Sequence, residues 1–484
     1  MDRPVGKVGS HDMDVKQGQW VGFGQKHFGG ACLGDARRRK RLVKTAELLM
    51  QNPSGSLPQR LKDWADLNGL YRLANCPAAS HAAVLEPHRQ VTLERMRETA
   101  GPVLIVHDST ELDYTGHRTL RKLGPIGKGN RRGYICHNSL AITPQREVLG
   151  LVNQILHIRR EVPEGETRQQ KREHPDRESR LWLAGCEPTG VAPAGDLWVD
   201  VADRGSDTFE FLSYEHQHGR HYTLRSARDR CLNGGEEEPG EASLRKLHEY
   251  AASLARVGER EGQVHGNRGR SKRKARRARV AVGAGPVRLR VPAAAGPGLE
   301  QEVSAWVIDV REIAPPADEE PVRWVLLTDL PTETFGEACE RLDWYCCRIV
   351  IEEFHRGMKS GSGVEELQFE AEERLEPVIA LLSVVTAMLL NLRQLAREET
   401  SGRQAARTVV PLLYVQVLSG WRYREVREEL TVLEFCMALG KLGGHLNRKG
   451  DGLPGWRTLW RGWWELQAMV RGAEAIRRPK CVET

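Results

Sequence analysis

Apolar and polar positions follow three regimes along this chain. Up to about residue 85 the apolar residues recur at helical spacing. Leu42, Leu49 and Met50 share one stripe behind Asp35, which reads as an N-cap, and a second helix is expected over 60–74 with Trp64, Leu67, Leu70, Tyr71 and Leu73 apolar. From about residue 100 short apolar runs take over. They predict strands at 102–107, 133–142, 147–152, 196–202, 222–228, 287–291, 302–311 and 323–328, with helices at 179–186 and 207–214. A helix starting near Thr332 and Glu333 runs on through 344–361. The run 378–392 is apolar for 15 residues but contains Ser383, Thr386 and Asn391. A membrane span needs roughly 20 residues, so a buried core helix is the expectation. The end of the chain is helical, with Trp456, Trp460, Trp463 and Trp464 spaced as a packing or subunit-contact stripe.

Length and charge sharpen this picture. At roughly 100–200 residues per domain, 484 residues predict two to four domains, and 40% hydrophobic content supplies ample core. The net charge of +7 (72 Lys+Arg against 65 Asp+Glu) is mild, but the bases cluster. Residues 37–41 are five consecutive bases at the start of a predicted helix, where the helix dipole prefers acids. Such a placement points to a polyanion, against the plainer reading of a solvated basic face. A composition shift at about 230–320 holds an acidic Gly/Pro loop (234–241) and then RGRSKRKARRAR (268–279), with eight bases in twelve residues. Lying between strands, this run reads as a nucleic-acid contact in a β insertion. The ten cysteines are scattered without a CxxC, so reduced thiols are expected rather than a disulfide or metal framework. The polar N-terminus has no secretory h-region, and a cytoplasmic protein without membrane contact is the expectation.

Candidate chemistry centres on three carboxylates. Asp108 and Asp203 are placed at the carboxyl ends of predicted strands, where α/β sheets hold ligands, although Asp also commonly caps helices and starts turns. At about 100° per residue, a helix over 344–361 puts Tyr345, Arg348, Glu352, Arg356 and Lys359 within a sector of roughly 80°. Trp344, Cys347, Ile351, Phe354 and Met358 form a separate apolar stripe, and Glu353 points away from the cations. Ion pairing of Arg348 with Glu352 and of Glu352 with Arg356 explains the charges at a few tenths of a kcal/mol per pair. It explains neither the excess of cations nor Tyr345. The sharper reading has Asp108, Asp203 and Glu352 holding divalent metal, with the bases and the phenol holding phosphates for in-line phosphoryl transfer.

The spacing Tyr345-(2)-Arg348-(3)-Glu352-(6)-Lys359 resembles the Y-(2)-R-(3)-E-(6)-K signature of the insertion-sequence-four family of bacterial DDE transposases. IEEFHRGMKSGSG looks like its transposon-five transposase branch, and LGDARRRKRLV, VADRGSD, RWVLLTDLP and LGGHLNRKGDGLPGW look similar to segments in corresponding order. The resemblance implies an α/β multidomain chain with an RNase H-like mixed-sheet catalytic core. Its expected parts are a helical end-binding domain at 1–85, a core at 86–395 with a β insertion at about 230–322, and a helical dimerisation domain at 396–484. It implies cut-and-paste transposition with Mg²⁺ or Mn²⁺. Cleavage would pass through a hairpin at transposon-end inverted repeats of double-stranded DNA, and joining to target DNA would take place in a synapsed homodimer. Carried over, Asp108, Asp203 and Glu352 are the metal triad, and Tyr345, Arg348 and Lys359, with Arg356 on the same face, hold phosphates. Arg225 would contact DNA, Trp324 would stack on a flipped base, and Arg37, Arg38 and Arg41 would recognise the ends. The competing expectations are a catalytically impaired, transposase-derived DNA-binding or regulatory protein and a different RNase H-like nuclease.

Overall fold

The computed structural model describes residues 22–52, 55–233, 246–264, 274–293, 295–296, 298–397, 399–448 and 450–477. The chain begins with helices α1 (Phe23–Phe28), α2 (Ala36–Gln51), α3 (Leu57–Arg60), α4 (Trp64–Ala74) and α5 (His81–Glu98). Asp35 caps α2 as expected, its carboxylate accepting the Arg37 backbone N–H at 2.7 Å. The helix expected over 60–74 is split. Ser56 and Gln59 form a capping box for the single turn α3, and Asp63 caps α4 by accepting from the Ala65 N–H, so the chain restarts between them. Leu42, Leu49, Met50, Leu67, Leu70 and Leu73 are buried, while Trp64 is 71% exposed at the first position of α4.

A buried histidine pair joins this helical region to the rest of the chain. His27 Nδ1 and His88 Nδ1 lie 2.9 Å apart, and His88 Nε2 accepts the Leu151 backbone N–H at 3.0 Å. Burial holds His27 down to about 3 and His88 well below its ordinary value. A base held neutral in the folded state takes up its proton on unfolding, so stability is fully present above pH 6.5 and is lost as pH falls below it. The expected loss is about 2 kcal/mol per histidine between pH 6.5 and 5. His27→Gln should flatten the acid limb of the melting temperature against pH, and an unchanged limb would refute the assignment.

The sheet is built from β1 (Val103–Asp113), β2 (Gly124–Pro125), β3 (Arg132–Ile142), β4 (Val148–His157), β5 (Trp198–Ala202), β6 (His221–Arg225), β7 (Arg256–Val264), β8 (Arg276–Arg290), β9 (Glu302–Glu312) and β10 (Arg323–Thr328). Their order is β2-β3-β1-β5-β6-β10-β9-β8-β7, with β4 also paired to β3. Among the described strands, only β1 with β5 and β5 with β6 are parallel. Helices α6 (Arg168–Glu173) and α7 (Leu181–Cys186) connect β4 to β5, α8 (Phe209–Gln217) connects β5 to β6, and α9 (Leu247–Ser253) precedes β7. The β insertion is therefore an extension of the one sheet, joined through β9 and β10 over Arg323↔Arg311 to Thr328↔Trp306. Residues 234–241 and 268–273, which carry the acidic loop and half of the basic run, lie outside the described residues. Of the remaining bases, Arg276 is spent on Glu312 and Glu319, and Arg279 on Glu259, so these two act inside the insertion rather than as free phosphate contacts.

After β10 come α10 (Phe335–Cys346), α11 (Ile349–Arg356), α12 (Glu372–Leu395), α13 (Leu412–Tyr423), α14 (Val432–Leu442) and α15 (Trp456–Arg477). The α12 helix is the expected core helix; its stretch from Val378 to Leu390 is buried against α5 and β4. Among the described residues no helix is long and apolar enough to cross a membrane, and the cysteines there are free. The tryptophan stripe divides: Trp456, Trp460 and Trp463 pack inward, while Trp464 is 48% exposed. Trp463 meets Tyr414 and Phe435, so the stripe serves packing within the chain.

Candidate functional site

Register brings the two aspartates together. The parallel ladder of β1 with β5 ends at His107↔Ala202, and Asp108 and Asp203 are the residues that come next in the chain after each. Asp203 follows its strand, as expected. Asp108 does not end a strand, because β1 continues to Asp113 by pairing with β3, opposite Asn138 at position 108. The continuation is half-buried from Asp108 to Glu111 and at Asp113, and residues 364–365 close over its end. The Asp113 N–H donates to Glu365, and the Tyr114 hydroxyl donates to the Val364 carbonyl.

The segment 344–361 is not one helix. The Cys347 N–H reaches the Trp344 carbonyl, Arg348 N–H reaches Tyr345, and Val350 N–H reaches Cys347, all i to i+3, so the helix tightens between α10 and α11. It then widens into a π turn over Gly357–Gly361. The apolar stripe is as expected: Trp344, Cys347, Ile351, Phe354 and Met358 are buried. The polar edge differs. Tyr345 is buried, and Glu353, expected to point away, is buried too, whereas the Glu352 side chain is 48% exposed. The extra rotation introduced by the tight turn moves these residues off the ideal projection.

Arg348 links the parts. Its Nη2 lies 3.3 Å from Asp108 Oδ2, not on Glu352, and its guanidinium sits 5.7 Å from the Tyr345 ring centre. Tyr345 packs edge-on against Trp324 at 5.4 Å, and Arg225 lies 5.7 Å over the Trp324 ring. Arg225, Trp324, Tyr345, Arg348 and Asp108 thus form one continuous line of contacts. The Arg348 Nε is buried without a hydrogen-bond partner. Glu352 pairs with Arg356 at 3.8 Å, the expected i,i+4 contact, and Lys359 Nζ lies 3.6 Å from Glu365.

The charges of Asp203 and Glu352 are felt at Asp108. Burial pushes the Asp108 carboxyl up to about 6; the Arg348 cation opposes this, and the negative charges of Asp203 and Glu352 add to it. Asp203 spends one oxygen on the Gly205 N–H at 2.7 Å. An all-oxygen donor set with crowded negative charge is the chemistry that suits Mg²⁺ or Mn²⁺. Among the described residues, no three side chains form a metal-holding group, and Arg348 stands beside Asp108 as its counter-charge.

Two groups escaped the sequence reading. His355, one turn past Glu352, is buried with Nδ1 4.0 Å from Asp108 Oδ2 and Nε2 3.1 Å from the Asn138 amide. Behind the site, Asp200 holds His107 at 2.7 Å and Arg220 at 2.5 Å, tying β1 to β5 just before the two aspartates. The signal was present, as His355 follows Glu352 at helical spacing, but a histidine on a mixed face carries no signature by itself.

The N-terminal bases are arranged unequally. Arg37, Arg38, Arg39 and Lys40 are exposed on α2. Arg37 contacts Asp35 at 3.2 Å, and Arg38 donates to the Leu33 carbonyl at 3.0 Å. Arg41 is committed to Asp66 at 2.7 Å, which also takes Lys44 at 2.5 Å, so its primary contact is within the fold. This helical region also gives the tie to known proteins. Residues 20–79 match the family model described as transposase DNA-binding, which supports DNA as the partner of α1 to α4 and a transposase as the role of the chain.

Proposed function

We propose that this protein is a metal-dependent DDE transposase that cuts DNA at the ends of its element and joins them to target DNA. The observation that carries the reading is the meeting of Asp108, Asp203 and the Arg348–Glu352 helix at the end of the β1–β5 ladder, in a chain whose residues 20–79 match a transposase DNA-binding model. Asp108, Asp203 and Glu352 would hold Mg²⁺ or Mn²⁺, which when bound activates an attacking oxygen and stabilises the leaving one. Arg348 and Lys359 hold the scissile phosphate against its neighbours. Buried Tyr345 and half-buried Trp324 give the strand end an aromatic wall, suited to a base leaving the stack. The resemblance to the insertion-sequence-four family extends this to a hairpin route. Water cuts one strand, the freed 3′-hydroxyl attacks the other strand, water reopens the hairpin, and the 3′ end attacks target DNA in a homodimer.

The test is incubation of the full chain with Mg²⁺ and linear DNA carrying the element's own terminal repeats. Hairpin-ended excised product is the expected result. Tight binding of the ends with no strand cut would sink the reading in favour of a regulatory DNA-binding protein.

A further inference from the structure

Both carboxylate oxygens of Asp108 are engaged within the chain. Oδ2 lies 3.3 Å from Arg348 Nη2, in an ion pair whose side chains are only 17% and 12% exposed. Oδ1 accepts the Ser109 backbone N–H at 2.9 Å. The other two carboxylates turn elsewhere, Glu352 to Arg356 at 3.8 Å and Asp203 to the Gly205 N–H at 2.7 Å. Burial works against the Arg348 charge, but the negative groups around it, Asp108 first, then Tyr345, Asp203 and Glu352, hold its pKa above the ordinary arginine value. Arg348 is thus the cation that this group of carboxylates has in the absence of any ion. A divalent ion drawn by the same charges competes with it, because two cations repel strongly across a partly dry site. On the proposed function the guanidinium has a second partner, the scissile phosphate. Phosphate takes an arginine fork bidentately at about 2.7–2.9 Å, a closer and stronger contact than the one made with Asp108.

We infer that Arg348 is a latch on the metal site, closed on Asp108 in the free protein and drawn off by the phosphate of a bound DNA end. The inference rests on the transposase reading and adds regulation to that site: uptake of the metal ion is coupled to binding of DNA. Coupling of this kind is reciprocal, so the ion also tightens the hold on DNA by the same factor.

The test is Mn²⁺ binding to the full chain without DNA, read as the loss of the free-ion paramagnetic resonance signal. Arg348→Gln removes the competing charge and should bind Mn²⁺ tighter than the parent by about 5- to 150-fold, the usual range for coupled sites. Lys359→Gln removes a charge that is paired with Glu365 instead, and should leave Mn²⁺ binding close to the parent's. No gain in Arg348→Gln, or an equal gain in Lys359→Gln, overturns the latch. Linear DNA carrying the element's ends should tighten Mn²⁺ binding by the parent and do so less in Arg348→Gln. A parent that takes up no Mn²⁺ even with its DNA overturns the transposase reading together with this one. Uptake with DNA but no gain in Arg348→Gln sinks the latch alone.

Should Arg348→Gln fail to fold, Asp108→Asn opens the latch from the other side. Asparagine keeps an acceptor for the Ser109 N–H and drops the charge that holds Arg348. In chelator, with no metal present, it should bind the DNA ends tighter than the parent, and by a larger factor than Asp203→Asn. No gain, or equal gains in the two variants, refutes the inference.

Discussion

Glu352→Ala should bind the element's ends as the parent does and cut them slower by on the order of 10³-fold or more, as for loss of a group that stabilises charge in the transition state. The structure makes this a clean experiment. The Glu352 side chain is 48% exposed, and its ion pair with Arg356 spans 3.8 Å at the surface, an interaction worth little to stability. Alanine is the best helix former, so α11 should persist. Loss of cutting with an unchanged melting temperature would then report on chemistry. Asp108→Ala would not allow that conclusion, because it leaves Arg348, with only 12% of its side chain exposed, beside an emptied site. Nicking at the parent's rate by Glu352→Ala would show that Glu352 does not belong to the active site.

End binding should weaken steeply with salt. With about six phosphate contacts, affinity should drop by about 10³-fold between 50 and 200 mM monovalent salt. The exposed bases Arg37, Arg38, Arg39 and Lys40 on α2, inside the matched DNA-binding region, are where this dependence should reside. Replacing Arg37 and Arg38 together by Gln should lower the slope of log affinity against log salt by about 2, one unit for each lost contact. Arg41→Gln should behave differently. Its guanidinium is bound to Asp66, so the first effect is on the packing of α2 against α4. A flat salt response in the parent protein would remove these bases from the DNA interface.

The contrast between Glu352 and Glu353 marks what could be read in advance. Apolar periodicity gave the elements, because burial at 3.6 and 2 residue spacing is a local property: β10, the core helix α12 and the Asp35 cap all stand where the pattern put them. Helical projection also identified the buried stripe from Trp344 to Met358. It failed on the polar edge, since a constant 100° per residue cannot anticipate the tight turn at Cys347 and Arg348 or the widening at Gly357. The Asp108–Asp203 neighbourhood depends on which strands pair, and pairing partners 95 residues apart are not periodic. For the same reason His355 and Asn138 stayed hidden. Their meaning lies in a contact between α11 and β3, which neither segment records alone.

The π turn that carries Lys359 has a further consequence. A methyl group at Gly357 would come within 2.9 Å of the Trp456 ring, and one at Gly361 within 3.0 Å of the Trp460 ring, so the turn is moulded directly onto α15. The last helix is thus no detachable handle. A product ending before residue 456 would keep its N-terminal match at 20–79 but lose the wall behind Lys359. On the proposed function, such a fragment should lose end cleavage, and without Arg471 it would also lose the hydrogen bond that ties α15 to Asn52 behind α2.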